Sequence, residues 1–495
     1  MAERCPVLPD DVIEDILARL PAKTVLRCQC LSHAWAATLS SDDFVDRHHR
    51  LANLHGAGGP RILVLQDSRP GYGARQEMHG WSPDHRGGAM LMEVPRPLSL
   101  GHRCPPRLVT STPRDRQLRN DMDKLVPRLV TQQCRGLVVL EATRAGTYFV
   151  FNPSTRQMAA LPEGRATGCR HVKEANHKYA SLGIGYDALT RKHKVVRIYY
   201  RGSDDAKKLP ESAGCEVYVV NSEGGLWRPS ERGVKEKPAG WVIQNETSVF
   251  TQGHVHWLAK RRLDSPSEEM FILSFSLRSE SFGTVPLPLG PQRSSPINSE
   301  PIKHHLTELG GRLCLFTNDL ANNWRSARNM HVWLFRGHEA CTWDLHSRID
   351  LTTLPPEAAK FMHNGEGIIP LALVDNGHRI LLIQPHVRWT RSRRPSFQMC
   401  KYTHMTGDVE NVLHHPGLFS NNRRMVLEHA TVYEESIAHP GQPHEDIIFA
   451  MSLVLRELSR YTLARLKLVC RSWRAMIESQ DFDETRNKTP FGYMF

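Results

Sequence analysis

The chain has 495 residues, of which 40% are hydrophobic and 23% are charged. These values are typical of globular proteins, and they exclude a chain that is disordered throughout. The 34 glycines and 32 prolines are too few for a collagen-like or low-complexity sequence. The net charge is +12, but residues 1–50 carry a small acidic excess, so the basic excess lies in the rest of the chain. Such an excess favours acidic partners, whether a protein, a phosphorylated peptide or a nucleic acid.

Targeting signals and cysteine usage restrict the compartment. No stretch approaches the ~18 uninterrupted apolar residues of a membrane span, and the first residues lack the apolar core of a signal peptide. The eleven cysteines are scattered from Cys5 to Cys470 without a Cys-x-x-Cys pair. We therefore expect a reducing compartment, cytoplasm or nucleus, with no disulfide framework, zinc finger or membrane contact.

The amino-terminal segment is predicted to be helical. Asp10 and Asp11 are placed to cap a first helix, because their carboxylates accept free backbone N–H groups. Apolar residues follow at helical spacing until Pro21, which ends the helix. Further short apolar runs continue to Phe44, so the unit has about 40 residues and needs a partner surface for stability.

The order of these residues resembles the F-box motif. The resemblance rests on the opening Leu8-Pro9, the turn Arg19-Leu20-Pro21-x-Lys23, and Trp35 nine residues before Phe44, although His33 stands where Lys or Arg is usual. It implies that residues 5–50 form a helical domain that docks the Skp-type adaptor, and through it the cullin, of a ubiquitin ligase. The adaptor-binding and supporting set would be Leu8, Pro9, Ile13, Ile16, Leu17, Leu20, Pro21, Leu26 and Trp35. Trp35 and Phe44 are also expected to hold the helices together.

Residues 443–485 resemble a second, degenerate F-box. Trp473 and Phe482 repeat the spacing of Trp35 and Phe44, but the Leu-Pro opening is missing. Two interpretations stay open, a second adaptor-binding unit and a helical remnant of a duplication.

Residues 125–437 are predicted to be an all-β domain, because short β-branched runs alternate with Gly, Pro, Asn and Asp turns. An aromatic residue followed four positions later by Ser or Thr recurs at Phe151, Tyr186, Phe275 and Tyr402, at spacings of 35, 89 and 127 residues. Interpreted as one, two and three repeats of ~40–45 residues, these spacings predict a propeller of about six to eight blades. A β-sandwich remains the alternative.

Several segments of this region also resemble the F-box-associated domain of plant F-box proteins. They include residues 134–137, 151–156, 183–187, 256–259 and 432–436. The predicted fold class is therefore α+β multidomain: an F-box, a propeller-like β domain and a carboxy-terminal helical segment. Residues 51–124, rich in Gly, Pro and Arg, are interpreted as linker and loops with one strand at Ile62–Leu65.

Catalytic and cofactor motifs are weak or missing. Gly183-x-Gly185-x-x-Ala188 superficially matches a dinucleotide fingerprint, but a turn and a strand follow it where the fingerprint needs a helix. His338-Glu339-Ala340-Cys341-Thr342 lacks the second histidine of a helical zinc pair, and no nucleophile elbow or P-loop occurs. We expect a non-catalytic protein without a cofactor or metal.

Two basic runs are candidates for anion binding. Arg388, Arg391, Arg393 and Arg394 surround Trp389 and are able to clamp phosphate or stack on a base, although a solvated loop between blades is the preferred interpretation. Arg191 to Lys194 form a second basic turn of low specificity.

The resemblances imply a substrate-receptor subunit of an SCF-type cullin ubiquitin ligase, which docks the adaptor through the F-box and presents an unknown target protein through the β domain. Two alternatives remain: an adaptor-binding interaction protein outside any ligase, and a nucleic-acid-binding protein that uses the basic surface.

Overall fold

The structure is a computed structural model. It describes residues 9–54, 60–69, 75–81, 89–93, 127–142, 147–162, 177–201, 212–222, 225–230, 238–244, 246–262, 268–288, 303–318, 329–350, 368–384, 398–412 and 424–441. No helix within these ranges is long and apolar enough to cross a membrane.

Four short helices begin the described chain. They are α1 Asp10–Leu17, α2 Ala22–Cys28, α3 His33–Leu39 and α4 Asp42–Ala52. Pro9 precedes α1, and both predicted acidic residues lie in its first turn. The hydroxyls of Ser32 and Ser41 accept the backbone N–H groups of Trp35 and Phe44, which caps the amino termini of α3 and α4.

The strands of the described residues form six antiparallel sheets that follow one another along the chain. The first sheet contains β1 Arg61–Arg69, β2 Arg75–Trp81, β3 Ala89–Glu93 and the last strand, β25 Arg424–Tyr433. The second contains β4 Pro127–Leu129, β5 Val138–Ala142, β6 Thr147–Asn152 and β7 Gln157–Ala160, and the third contains β8 His177–Asp187, β9 Lys192–Arg201, β10 Ser212–Val219 and β11 Arg228–Pro229. The fourth contains β12 Trp241–Val242, β13 Val249–Thr251, β14 His254–Arg262, β15 Glu268–Ser276 and β16 Ser281–Val285. The fifth contains β17 Lys303–Leu309, β18 Arg312–Asn318, β19 Asn329–Phe335 and β20 Trp343–Asp350, and the sixth contains β21 Ile369–Val374, β22 Arg379–Gln384, β23 Gln398–Thr403 and β24 Val409–Asn411.

The hydrophobic core is divided among the interfaces between successive sheets. One buried cluster joins the fifth and sixth sheets through side chains such as Phe316 and Tyr402. Another joins the sixth sheet to the first through Ile383 and Ile62, and a third joins the first to the second through Leu63 and Phe151. The remaining pairs of neighbours pack in the same way. Six sheets packed face to face in a closed ring form a propeller, so the β-sandwich alternative is wrong.

The ring is closed by strands from opposite ends of the domain. β25 pairs antiparallel with β1, placing Val432 opposite Ile62 and Tyr433 opposite Arg61. The prediction that residues 51–124 are a linker with one strand is therefore wrong for residues 61–93, which supply three strands of the first sheet. The predicted start of the β domain at residue 125 was too late for the same reason.

The aromatic-hydroxyl motif marks turns, but its repeat length was misread. Phe151, Phe275 and Tyr402 lie near the end of the last strand but one of the second, fourth and sixth sheets, just before the turn into the last strand. Tyr186 instead precedes the turn between the first and second strands of the third sheet. The three equivalent positions are 124 and 127 residues apart, two sheets each time. One sheet therefore takes about 60 residues of sequence, more than the ~40–45 of a short blade.

Gly183, from the apparent nucleotide fingerprint, has a packing role. It lies in β8, where an added Cβ would be 2.4 Å from a side-chain carbon of Val255 and 2.6 Å from Trp257. Only glycine permits the third and fourth sheets to approach this closely. The indole N–H of Trp257 donates a 3.1 Å hydrogen bond to the Leu182 carbonyl at the same contact.

Candidate functional site

The helical domain has a small apolar core of its own. Ala18, Ala22, Val25, Leu39 and Phe44 are buried in it. The half-buried side chains packed against this core include three members of the predicted adaptor set, Leu17, Leu20 and Trp35. These three residues pack against the core of the helical domain, so little of their side-chain surface is available to a partner.

Two members of the predicted set, Pro9 and Ile16, lie on the surface, as do two apolar residues outside the set. Pro9 is exposed, and Val12 and Ile16 of α1 are 39% and 48% exposed. Leu31, between α2 and α3, is 74% exposed. Apolar side chains at positions 12 and 16 lie one helical turn apart on one face of α1. Exposed apolar residues grouped on a small helical unit are typical of a surface that a partner covers.

The other members of the predicted set are Ile13, Leu26, Pro21 and Leu8. Ile13 and Leu26 are half-buried, and Pro21 is exposed at the start of α2. Leu8 lies outside the described residues, as do the candidate anion-binding residues Arg388, Arg391, Arg393 and Arg394 and all of residues 443–485. Val12 and Leu31 were not in the predicted set, although the spacing of Val12 in α1 is a sufficient signal to include it.

Helix α4 is the element that seats the helical domain on the propeller. Asp42 forms a 3.0 Å ion pair with Lys192, and Asp43 pairs with Arg191 in the turn between β8 and β9. Asp46, one helical turn further on, pairs with Arg135 at 2.9 Å. The acidic excess of the helices thus meets a basic turn of the propeller within the same chain, which explains one of the two basic runs without an external anion.

Tyr186 and Arg135 form the centre of this contact. The Tyr186 hydroxyl donates to Asp46 at 2.8 Å, and the Arg135 guanidinium lies 3.8 Å from the centre of the Tyr186 ring. Burial and the bond to Asp46 raise the pKa of Tyr186 to about 12. The phenol therefore remains a donor at neutral pH, and the cation stacked on its ring adds a cation–π contact.

Glu435, just after β25, reaches the helices from the propeller. Its carboxylate accepts the backbone N–H of Ala22 at 2.7 Å, in the first turn of α2, and pairs with Arg61 at 2.7 Å. Its backbone N–H and carbonyl are both bonded by the Asn53 side-chain amide at 2.8 Å. A carboxylate at a helix amino terminus satisfies a free N–H and interacts favourably with the helix dipole. Two residues later, Ile437 enters the apolar core of the helices.

The paired histidines of α4 serve the two sides of this contact. His48 is buried in the helical domain, and its Nε2 lies 3.0 Å from the Leu20 carbonyl oxygen. Burial lowers the pKa of His48, so its ring is neutral near pH 7. His49 points towards the propeller and approaches Glu434 with its Nε2 at 3.2 Å.

The segment after β25 is held by the loop that follows β6. The Asn152 side-chain amide donates to the carbonyls of Ser436 and Ala438 at 3.0 and 2.7 Å. The Ser154 hydroxyl bonds the Tyr433 hydroxyl at 2.9 Å and accepts the Ser436 N–H at 3.1 Å. These buried bonds fix the backbone that carries Glu435 and Ile437, so the second sheet positions the contact indirectly.

No group of three or more side chains suited to a metal ion occurs among the described residues. The described part of the chain consists of a helical domain with an exposed apolar face on α1 and a propeller, and the acidic residues of α4 join the two. This combination defines a two-module protein, a small helical domain followed by a propeller.

Comparison with known proteins identifies both modules. Residues 105–384, more than half of the chain, match the F-box associated beta propeller domain family. Residues 6–47 and 449–485 each match the F-box domain family. The chain therefore belongs to the F-box proteins that carry an F-box associated propeller, and the second, carboxy-terminal F-box segment is confirmed as such.

The relatives are Arabidopsis thaliana F-box proteins of low sequence identity. F-box protein At3g47030 is 23% identical over 58% of this chain and 59% of its own length. F-box protein CPR1 is 25% identical over 63% of this chain and 66% of its own length. F-box protein At2g34280 is 23% identical over 77% of this chain and 89% of its own length. The chain thus spans about three-fifths to two-thirds of the length of the first two relatives.

Proposed function

We propose that the protein is a substrate-receptor subunit of an SCF-type cullin ubiquitin ligase. In this role the amino-terminal F-box binds a Skp-type adaptor, and the propeller holds a target protein. In this role the ubiquitin-transfer chemistry is carried out by partner proteins. Ubiquitin transfer is promoted because two proteins held on one scaffold react at a raised effective concentration. The seven described cysteines are free, which fits the cytosol or nucleus as its compartment.

The observation that carries the proposal is the separation of two surfaces on the F-box. The apolar residues Val12 and Ile16 of α1 are exposed, while the acidic residues of α4 are paired with the propeller. The adaptor is therefore able to cover α1 without displacing the propeller. Burial of an exposed Ile or Val side chain contributes about 1.5–3 kcal/mol at full burial, enough for a few such residues to determine affinity.

The same contacts orient the propeller. The turn between β8 and β9 and the end of β25 are used for the F-box. Both strands meet the F-box near their carboxyl ends, so their amino ends lie at the opposite end of the sheets. We propose that this opposite end of the propeller faces a target. Fold similarity does not identify the target, because propellers serve many functions.

Co-purification with a plant Skp-type adaptor tests the proposal. The full chain is co-expressed with the adaptor and analysed by size-exclusion chromatography as wild type, as Ile16→Asp and as Leu345→Asp. Leu345 is a matched control because it is 47% exposed on β20, far from the helices in sequence. We expect a complex for wild type and Leu345→Asp and its loss for Ile16→Asp. Folded wild-type protein that forms no complex would contradict the receptor function.

The nucleic-acid alternative loses part of its support. Arg191 and Lys192 are paired with Asp43 and Asp42, and Lys194 is buried beside Asp187 and Glu280 at 3.0 and 3.3 Å. These cations are neutralised within the chain, so they are not available to bind phosphates.

A further inference from the structure

A polar cavity opens next to the F-box, where strands of five sheets converge. Its volume is about 360 Å³, within the range of small-molecule sites. The wall residues that matter here are Gln132, Phe250, Thr251, Thr307, Glu308 and Glu434. They come from the second, fourth, fifth and first sheets or from the residues a few positions after their strands, and Leu371 of the sixth sheet also lines the cavity. This cavity is distinct from the exposed face of α1.

Two carboxylates give the cavity a negative character inside a protein of net charge +12. Glu434 contacts His49, whose Nε2 lies 3.2 Å from the carboxylate. Glu308 accepts the backbone N–H of Gly311, but it makes no ion pair with a cationic side chain of the described residues. Burial and the nearby Glu434 raise the pKa of Glu308, which reflects the lack of a compensating cation.

The cation that does line the cavity is committed elsewhere. Arg135 is paired with Asp46 at 2.9 Å and stacked on the ring of Tyr186 at 3.8 Å. Both contacts belong to the interface between the F-box and the propeller, so the Arg135 guanidinium is oriented towards α4. A ligand that brings its own positive charge would therefore meet Glu308 without competing with Arg135.

Thr251 provides an independent sign of an incomplete site. Its side chain is only 4% exposed, and its Oγ1 is buried without a hydrogen-bond partner among the described residues. A buried hydroxyl without a partner is unfavourable, so a polar group placed in the cavity gains a hydrogen bond there. The half-buried ring of Phe250 lies beside it in the wall and offers an aromatic contact to a cation.

The wall near Glu434 is rigid. The Gln133 side-chain amide donates to the Glu434 carbonyl at 2.7 Å and accepts the Glu434 N–H at 3.1 Å. The Gln132 amide donates to the Leu306 carbonyl at 3.1 Å, which links the second sheet to the fifth across the cavity wall. Preorganised polar walls reduce the cost of ordering on binding.

We propose that this cavity binds a primary ammonium group. Its N–H groups donate hydrogen bonds to the Glu308 carboxylate and to the Thr251 hydroxyl oxygen in the wall. The ammonium group belongs either to a free small amine or to a lysine side chain of a bound protein. Both sources present the same chemistry to Glu308, and they differ in what is attached to it.

The test uses the full chain and isothermal titration calorimetry with three probes at millimolar concentration. Putrescine represents a free amine, Nα-acetyl-lysine methylamide represents a protein lysine, and 1,4-butanediol is the neutral counterpart of putrescine. The variants are Glu308→Gln, Thr251→Val and the control Glu339→Gln, which removes an exposed carboxylate outside the cavity. Thermal unfolding of each unliganded variant establishes that it is folded.

We expect at least one amine to bind the wild type and the diol not to bind. Glu308→Gln should weaken amine binding at least tenfold and Thr251→Val several-fold, with no change for Glu339→Gln. Tighter binding of the lysine derivative assigns the site to a protein side chain, and tighter binding of putrescine assigns it to a free amine. The proposal is overturned if neither amine binds, if the diol binds equally well, or if folded Glu308→Gln and Thr251→Val both retain wild-type affinity. If Glu308→Gln fails to fold, Thr251→Val decides between the same two outcomes.

Discussion

Tyr186 of the propeller donates a 2.8 Å hydrogen bond from its hydroxyl to the Asp46 carboxylate of the F-box, although 140 residues separate them in the chain. The bond joins the last F-box helix to the first turn of the third sheet. It is one of several polar contacts that convert two modules into one unit. An SCF receptor needs such a unit, because a fixed distance between adaptor and target determines which target residues the ligase reaches.

Removal of this hydroxyl should loosen the F-box from the propeller. In Tyr186→Phe the Asp46 carboxylate retains Arg135 but loses one hydrogen bond to a charged acceptor, worth about 1.5–3 kcal/mol. We expect faster hydrogen exchange in α4 and unchanged exchange in the sheets. Tyr199→Phe, a half-buried tyrosine on β9 away from α4, serves as the control. Unchanged exchange in α4 of Tyr186→Phe would show that the hydroxyl does not hold the helix.

The ion pairs at the amino terminus of α4 should stabilise the contact less than the Tyr186–Asp46 hydrogen bond does, and their contribution should fall as salt is added. Asp42 and Asp43 are largely exposed, and exposed pairs contribute about 0.2–1 kcal/mol each. The double variant Arg191→Glu/Lys192→Glu should raise exchange in α4 at low salt. Adding Asp42→Lys and Asp43→Arg should reverse the increase, because the charges are then complementary again. An increase that persists at about 1 M salt, where such charges are screened, would contradict an electrostatic cause.

Phe44 should be more important to F-box stability than Trp35. Phe44 is 3% exposed in the helical core, so Phe44→Ala should cost about 3–5 kcal/mol. The sequence analysis expects Trp35 and Phe44 together to hold the helices, but the Trp35 side chain is only half-buried against the core. We therefore expect Trp35→Ala to cost less than Phe44→Ala. Urea unfolding followed by hydrogen exchange in α1–α4 measures both costs, and the reverse order would refute the assigned packing.

Acid should destabilise the protein below the usual pKa of histidine. Burial lowers the pKa of His193 to about 3, and it also lowers that of His48. A lowered pKa means that the unfolded state binds more protons, so stability is fully present above about pH 6.5 and falls as pH decreases towards the folded pKa. Each such histidine adds a slope of up to about 1.4 kcal/mol per pH unit. Urea midpoints between pH 7 and pH 5 measure this slope. His193→Gln should reduce it, and an unchanged slope would argue against a buried neutral His193.

Local patterns in the sequence were sufficient to predict the F-box. Its apolar spacing and the acidic first turn of α1 act within one or two helical turns, and the structure places them as expected. Two details were wrong: Pro9 occupies the N-cap of α1 without a side-chain hydrogen bond, and α1 ends at Leu17, so Pro21 instead precedes α2. The turns after Phe151, Phe275 and Tyr402 were predictable for the same reason. In each of these turns the hydroxyl residue directly precedes a residue of positive φ: Arg156, Glu280 or Gly407.

Features that depend on distant partners were not predictable. β1 was found only in part and β2 was missed, because β2 has the sequence RQEMHGW without clear alternation and is fixed by pairing with β1. β1 in turn pairs with β25, far along the chain. Glu435 gave no local signal, because the helix amino terminus that it caps is 413 residues away. The basic turn at Arg191 was recognised, but its partner in α4 was not, since opposite charges in a sequence do not show which of them meet.

The proposed receptor function requires that the adaptor binds the exposed face of α1 while α4 stays packed on the propeller. Hydrogen exchange of the full chain, with and without a Skp-type adaptor, tests it most directly. We predict protection in residues 10–31, around Val12, Ile16 and Leu31, with no change in α4 or in the turn that carries Arg191. Protection confined to residues 449–485, the second F-box match, or loss of protection in α4 on adaptor binding, would contradict it.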